Sequence, residues 1–188
     1  MEDYIQIATL NDFIFCPYSI YLHNIYADSD KSTYQAIPQT RGSLAHSSVD
    51  GKIASHRKED IMALSVYSEK YHLMGKIDLY RSDSKSLFER KYQLKQVFQG
   101  QIFQLWAQMF CLQEMGYPVS LLFFYEISTK KSIPVKLPDP NDIARFEAFL
   151  NSFRNFDPRE PFTVNPNKCM HCIYCNLCDK TETENVYS

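Results

Sequence analysis

The chain has 188 residues with 20 Lys+Arg against 22 Asp+Glu, a formal net charge of -2, so it suits one domain with a sizeable core and excludes a string of independent domains. A composition 45% hydrophobic and 22% charged, with 5 Gly and 9 Pro, argues against disordered, collagen-like and repeat architectures. The apolar runs are strand-sized, so the expectation is a cytoplasmic protein with no signal peptide and no membrane span; the charge balance still allows a local positive groove.

Residues 1–40 read as an N-terminal helical arm. The stretch IATLNDFIFCPYSIYLHNIY predicts a short helix capped near Thr9 or Asn11, a break at Cys16-Pro17, and a second amphipathic turn or helix. A further break at Ile37-Pro38 precedes RGSLAHSSVDGKIASHRK, a predicted helix carrying His46 and Asp50 at i, i+4. From Ile61 the period falls to two: MALSVYSEKY and HLMGKIDLYR read as strands, RSDSKS as a turn, and SLFERKYQL as a third strand. VFQGQIFQLWAQMFCLQEMGY predicts a nearly uncharged helix that stops near Gly116-Tyr117-Pro118. VSLLFFYEI follows as an apolar strand, SIPVKL as its shorter companion, and residues 139–153 as an amphipathic helix opened by PDPND. A Pro-rich connector leads to a cysteine-bearing tail. This order predicts a single α/β domain over 1–188 with a mixed sheet, divided into the arm, a core over 41–156 and a tail segment over 157–188. No GxGxxG, Walker, HExxH or GxSxG motif assigns it to a commoner chemistry.

Two acids and a lysine form the sharpest constellation. Glu89 and Lys91 stand two apart on one strand and so share a face. A turn over 82–85 that closes tightly at Asp83-Ser84 sets Asp78 of GKID opposite Glu89, with Cβ atoms about 4.5–5.5 Å apart. Carboxylates that close repel unless a cation lies between them, and a hard divalent ion suits the role. His46 is a candidate third ligand, and an imidazole leans the choice between Mg²⁺ and Mn²⁺ toward Mn²⁺. Lys91 is suited to orient an attacking water or to stabilise charge on a scissile phosphate. Singly, each residue has a plainer reading: His46 as a surface histidine, Glu89 and Lys91 as a solvated strand face. On the following helix Gln101, Gln104 and Gln108 form a polar stripe in apolar surroundings, and Gln104 is the favoured site residue.

Cysteines supply the second pattern. Four stand three residues apart as Cys169, Cys172, Cys175 and Cys178, while Cys16 precedes Pro17 at the far end and Cys111 lies in the apolar helix as an ordinary buried cysteine. Clustering of this kind is metal-like rather than a disulfide framework, and soft thiolates suit an iron-sulfur cluster or zinc. Spacing alone leaves both open.

Together these residues resemble the RecB-type nucleases of the restriction-endonuclease-like superfamily, and more closely the CRISPR-associated RecB-like iron-sulfur exonucleases that serve spacer acquisition. The resemblance runs through Cys16-Pro17, His46, Gly75 to Asp78, Glu89 to Lys91, Gln104-Leu105-Trp106-Ala107-Gln108 and three terminal cysteines. It implies a RecB-type nuclease core plus an iron-sulfur region formed by the N-terminal arm and C-terminal tail. It further implies a [4Fe-4S] cluster on Cys16, Cys169, Cys172 and Cys178, with a set drawn wholly from the tail, including Cys175, as the alternative. Catalytic roles fall on Asp78, Glu89, Lys91 and Gln104, with Mn²⁺ or Mg²⁺ on His46, Asp78 and Glu89. The superfamily often has tyrosine where Gln108 stands. The implied activity is metal-dependent exonucleolysis of single-stranded DNA ends with 5' to 3' polarity, processing prespacers alongside the CRISPR integrase complex. The alternatives are a DNA-binding scaffolding subunit of that complex with weak or dormant nuclease activity, and a zinc-ribbon-like partner-binding protein. Arg41, Lys52, Arg57, Arg90 and Lys95 are available for DNA contact.

Overall fold

The structure is a computed structural model that describes residues 4–26 and 60–181. Its chain order is β1 (Ile5–Gln6), a 3-10 turn (Ile7–Thr9), α1 (Leu10–Phe15), α2 (Pro17–Ile25), β2 (Asp60–Met62), β3 (Ser65–Ser68), β4 (Leu73–Lys76), β5 (Leu79–Arg81), β6 (Ser86–Lys91), α3 (Gln99–Glu114), β7 (Leu121–Glu126), β8 (Lys131–Val135), α4 (Pro140–Arg154) and α5 (Pro166–Cys169). Pro17 ends α1 and opens α2, because proline lacks the N–H that a continuing helix would need.

The strands form two mixed sheets, a three-stranded one ordered β1-β4-β3 and a five-stranded one ordered β2-β5-β6-β7-β8. β1 runs parallel to β4 and β6 parallel to β7, while the other neighbours are antiparallel. Parallel β6 and β7 need a long crossover, and α3 is that crossover. Here the structure corrects the sequence reading. MALSVYSEKY and HLMGKIDLYR are not single straight strands: each breaks, at Ala63-Leu64 and at Ile77-Asp78, and passes from one sheet to the other. Ala63 has φ 55°, outside the extended region, so the ladder cannot continue straight through it. Across the paired breaks the Ala63 N–H donates to the Asp78 carbonyl (3.3 Å) and the Ile77 N–H to the Leu64 carbonyl (3.0 Å). The result is one bent ribbon with Asp78 at its corner.

The main core is one buried cluster that draws on both sheets and on α1, α3 and α4: Val66 and Leu73 from the small sheet, Tyr80, Leu87, Leu122 and Phe124 from the large one, and Leu10, Leu105, Leu112, Phe146 and Leu150 from the helices. Cys111 belongs to this core, and burial pushes its thiol up to about 12. α3 stops as its sequence directs: the Tyr117 N–H donates to the Leu112 carbonyl (2.8 Å), the Gly116 N–H to that of Gln113 (3.1 Å), and Gly116 takes φ 88°.

α3 crosses α1 at Gly100, where a Cβ would stand 2.5 Å from Asn11 Oδ1 and 2.8 Å from the Asn11 Cα. Alanine gains about 1 kcal/mol of helix propensity over glycine. Forcing apart two packed backbones costs about 1–3 kcal/mol. Gly100→Ala is therefore expected to lower the urea midpoint, with a net loss of up to roughly 2 kcal/mol; a midpoint above the parent's would contradict the close crossing.

A smaller core joins the two ends of the chain. Tyr18 and Leu22 of α2 bury against Tyr174 of the tail, with Cys16, Phe162, Cys172 and Cys178 packed around them. The Tyr18 hydroxyl donates to Asp179 (2.6 Å), Lys168 Nζ to the Ile14 carbonyl (3.0 Å), and His23 Nδ1 lies 2.9 Å from the Tyr174 hydroxyl. Among the described residues no helix is long and apolar enough to cross a membrane.

Candidate active site

The turn over 82–85 sets the register of β5 against β6 as Leu79↔Phe88, Tyr80↔Leu87 and Arg81↔Ser86. One further step along that ladder brings Asp78, just past the end of β5, across from Glu89. The two strands are also joined there by a side chain, since the Arg90 backbone N–H donates to Asp78 Oδ2 at 2.7 Å. Glu89 is held from two sides. Lys91 Nζ donates to its Oε1 (2.9 Å) and Gln108 Nε2 to its Oε2 (2.8 Å). The Glu89 side chain is 12% exposed and that of Lys91 24%, so the pair interacts in a medium less polar than bulk water and is screened less than a surface ion pair.

Asp78, Glu89, Lys91, Gln104 and Gln108 line one cleft of about 730 Å³ between the two sheets and α3. Gln104 Nε2 donates to the Ala8 carbonyl (2.8 Å), tying α3 to the N-terminal turn. Because a carbonyl and a carboxylate can only accept, the partners of Gln104 and Gln108 fix which way each amide faces. Both Oε1 atoms are then acceptors, buried and without a hydrogen-bond partner among the described residues. Buried unsatisfied acceptors are costly, about 1–3 kcal/mol each, and are tolerated where function needs them.

Gln104 was the favoured member of the stripe, yet Gln108 is the one that touches the site acid. Its i+4 spacing from Gln104 was the available signal, because it puts both amides on one helix face. Gln101 leaves the stripe altogether: its Oε1 accepts from the Phe98 N–H (3.0 Å) and caps the start of α3. Gly75 lets β4 lie close to the 3-10 turn, since a Cβ there would meet the Ile7 side chain at 3.0 Å. His46 and Asp50, with Arg41, Lys52 and Arg57, lie outside the described residues.

Cys16 and the cysteines of the tail gather where α2 meets the tail, apart from Cys111 in the main core. Cys16, Cys169, Cys172 and Cys178 line a cavity of about 120 Å³ against Pro17 and Phe162. Cys175 sits beside it at the 3-10 turn Cys175–Leu177. None of the six cysteines is in a disulfide. Burial pushes the Cys172 thiol up to about 11, and the neighbouring Cys16, Cys178 and Cys169 add to the effect. The Cys169 thiol is raised by burial first, with Cys16, then Cys175 and Cys178, adding to the effect. These thiols are thus close enough to oppose one another's ionisation, a conflict that a bound cation relieves.

As they stand, no three His, Cys, Asp or Glu side chains among the described residues form a group that could hold a metal ion. Donor chemistry nevertheless suits two different guests. The cleft offers two hard carboxylates, apt for Mg²⁺ or Mn²⁺, and the cavity offers soft sulfur, apt for iron-sulfur or zinc.

No family model matches the chain, and no curated protein does. Solved structures do match by fold. Among them the crystal structure of SSO0001 superimposes with a TM-score of 0.60 over 97% of this chain and 89% of that one, at 15% sequence identity. At that identity the likeness shows a shared fold: a mixed α/β architecture whose two mixed sheets carry the cleft.

Proposed function

We propose that the protein is a metal-dependent phosphodiesterase with a RecB-type, restriction-endonuclease-like core, acting as an exonuclease on single-stranded DNA. The observation that carries this reading is the convergence of Asp78, Glu89 and Lys91 on one cleft, with Glu89 held by Lys91 and Gln108. Asp78 and Glu89 would hold Mn²⁺ or Mg²⁺, His46 being the third ligand that the family resemblance supplies. Such an ion lends the site an activated water and charge neutralisation.

The chain's own residues do the rest. A water oxygen attacks phosphorus, the bond from phosphorus to the leaving oxygen breaks, and a proton passes from the water to that oxygen or to solvent. Negative charge grows on the non-bridging oxygens, and the Lys91 ammonium, already at the rim of the acid pair, can turn toward them. Gln108 keeps the Glu89 carboxylate in one orientation, and the Arg90 N–H does the same for Asp78. A [4Fe-4S] cluster on Cys16, Cys169, Cys172 and Cys178 has a structural part in this proposal, clasping the arm to the tail. Polarity from 5' to 3', prespacer processing and work beside the CRISPR integrase complex follow from the family resemblance and belong to the same proposal.

Calorimetric titration of Mn²⁺ into the folded protein tests the assignment. One site is expected in the parent, with affinity reduced at least about tenfold in Asp78→Ala and in Glu89→Ala, a change of about 1.4 kcal/mol or more. Unchanged affinity and stoichiometry in both variants would remove the acids from the metal site.

A further inference from the structure

One wall of the cleft is not used by the chemistry above. It is the solvent face of the small sheet, where alternation turns Ser65 and Tyr67 of β3 outward with Met74 and Lys76 of β4, while Val66 and Leu73 face the core. The register pairs Tyr67 with Met74 and Ser65 with Lys76, and Gln6 of β1 flanks Met74 on its other side. Tyr67 is 49% exposed and Met74 41%, unusual for side chains of their size on a strand. Gln6, Ser65, Tyr67, Met74 and Lys76 line the same cleft as Asp78 and Glu89. The strand itself makes the connection: Lys76 is two residues before Asp78, and Met74 four, a span of roughly 13 Å at most for extended chain.

We infer that this wall is a seat for one unstacked nucleobase of the substrate strand, stacked on Tyr67 beside Met74, with the adjoining phosphate held by Lys76. The inference rests on the hydrolytic reading of the cleft and adds the form of its substrate. A half-exposed aromatic ring, a soft apolar neighbour and a lysine two register pairs along on the same face match a base and its phosphate. A protein partner would find too little here, because Gln6, Ser65 and Lys76 break the apolar surface into isolated patches and the floor is acidic. Duplex fits poorly, since its bases are already stacked on one another and leave no face for Tyr67. The seat therefore selects single strands or frayed ends, and it holds the base a few nucleotides from the phosphate being cut.

The test is anisotropy of fluorescein-labelled 15-mers of deoxyuridine and of uridine nucleotides, titrated with the full chain and no added divalent metal. Folding of each variant is checked by circular dichroism. Tyr67→Ala should weaken binding roughly tenfold to a hundredfold while Tyr67→Phe stays near the parent. Lys76→Gln should reduce the slope of log affinity against log salt by about 0.7. A blunt duplex should compete weakly, and the more tightly bound of the two 15-mers identifies the preferred sugar. Parental affinity in folded Tyr67→Ala, an unchanged salt slope in Lys76→Gln, or duplex competing as well as single strand would overturn the seat. The two readings separate cleanly. A parent that binds through Tyr67 but never cuts with Mn²⁺ or Mg²⁺ sinks the hydrolytic reading alone, and one that cuts while Tyr67→Ala binds normally sinks only the seat.

Discussion

Lys91→Ala is expected to cut single-stranded DNA roughly 10²–10³-fold more slowly than the parent at saturating DNA and Mn²⁺, the usual cost of removing one donor aimed at developing negative charge. Its ammonium lies 2.9 Å from Glu89 Oε1, so two effects of its removal need separating. Loss of transition-state stabilisation lowers the turnover rate, whereas loss of a partner for Glu89 changes metal affinity. The carboxylate keeps its bond from Gln108 Nε2 at 2.8 Å, so its orientation should survive and Mn²⁺ should still bind. In kinetic terms kcat falls and the Mn²⁺ requirement stays close to the parent's. A Lys91→Ala protein that cuts at the parental rate would take the lysine out of the chemistry.

The second large effect is expected at the cysteine cavity. Anaerobically purified parent should be brown, with four irons and four acid-labile sulfides per chain for a [4Fe-4S] cluster. Cys16→Ser should lose most of that iron and become markedly less stable, because Cys16 is the one sulfur of the cavity that comes from the N-terminal arm. Cys175→Ser should keep most of its iron, since Cys175 stands beside the cavity lining rather than in it. Cluster binding is folding free energy where the site joins distant parts of the chain, and here it adds to the contacts of Tyr18 with Asp179 and of Lys168 with Ile14. The reverse pattern would replace this ligand set by the four cysteines of the tail. Zinc without sulfide would end the cluster proposal.

The acid pair could be read before the fold was known because its register depends on local chemistry. A four-residue turn at 82–85 fixes which residues face each other, and each step along the ladder then follows. The helix over 99–114 was equally legible, since its apolar period and its Gly116-Tyr117-Pro118 stop signal agree. The bend at Ala63 and Ile77 was not. Ile61, Met62, Ala63 and Leu64 are an unbroken apolar run across one break, and Lys76, Ile77, Asp78 and Leu79 alternate in phase across the other, so the sequence reads as straight strands, and only the left-handed backbone at Ala63 and the separate partners of β4 and β5 reveal two sheets. β1 escaped for a different reason: two residues carry no period, and Ile5 and Gln6 become a strand only by pairing with Leu73 and Met74. The Tyr67 wall was hidden with them, because its exposure follows from which sheet β3 joins. Gln108 lay in plain view four residues after Gln104, but what it holds is a strand residue brought near by the crossover of α3.

Single-turnover cleavage of an end-labelled single-stranded oligonucleotide, by the parent, Asp78→Ala and Lys91→Ala with and without Mn²⁺, tests the proposed chemistry most directly. The expected result is metal-dependent shortening by the parent, no detectable shortening by Asp78→Ala, and slow shortening by Lys91→Ala with its fold and metal binding intact. A parent that leaves the strand whole with both Mn²⁺ and Mg²⁺, or an Asp78→Ala protein that cuts as the parent does, would contradict hydrolysis at this site.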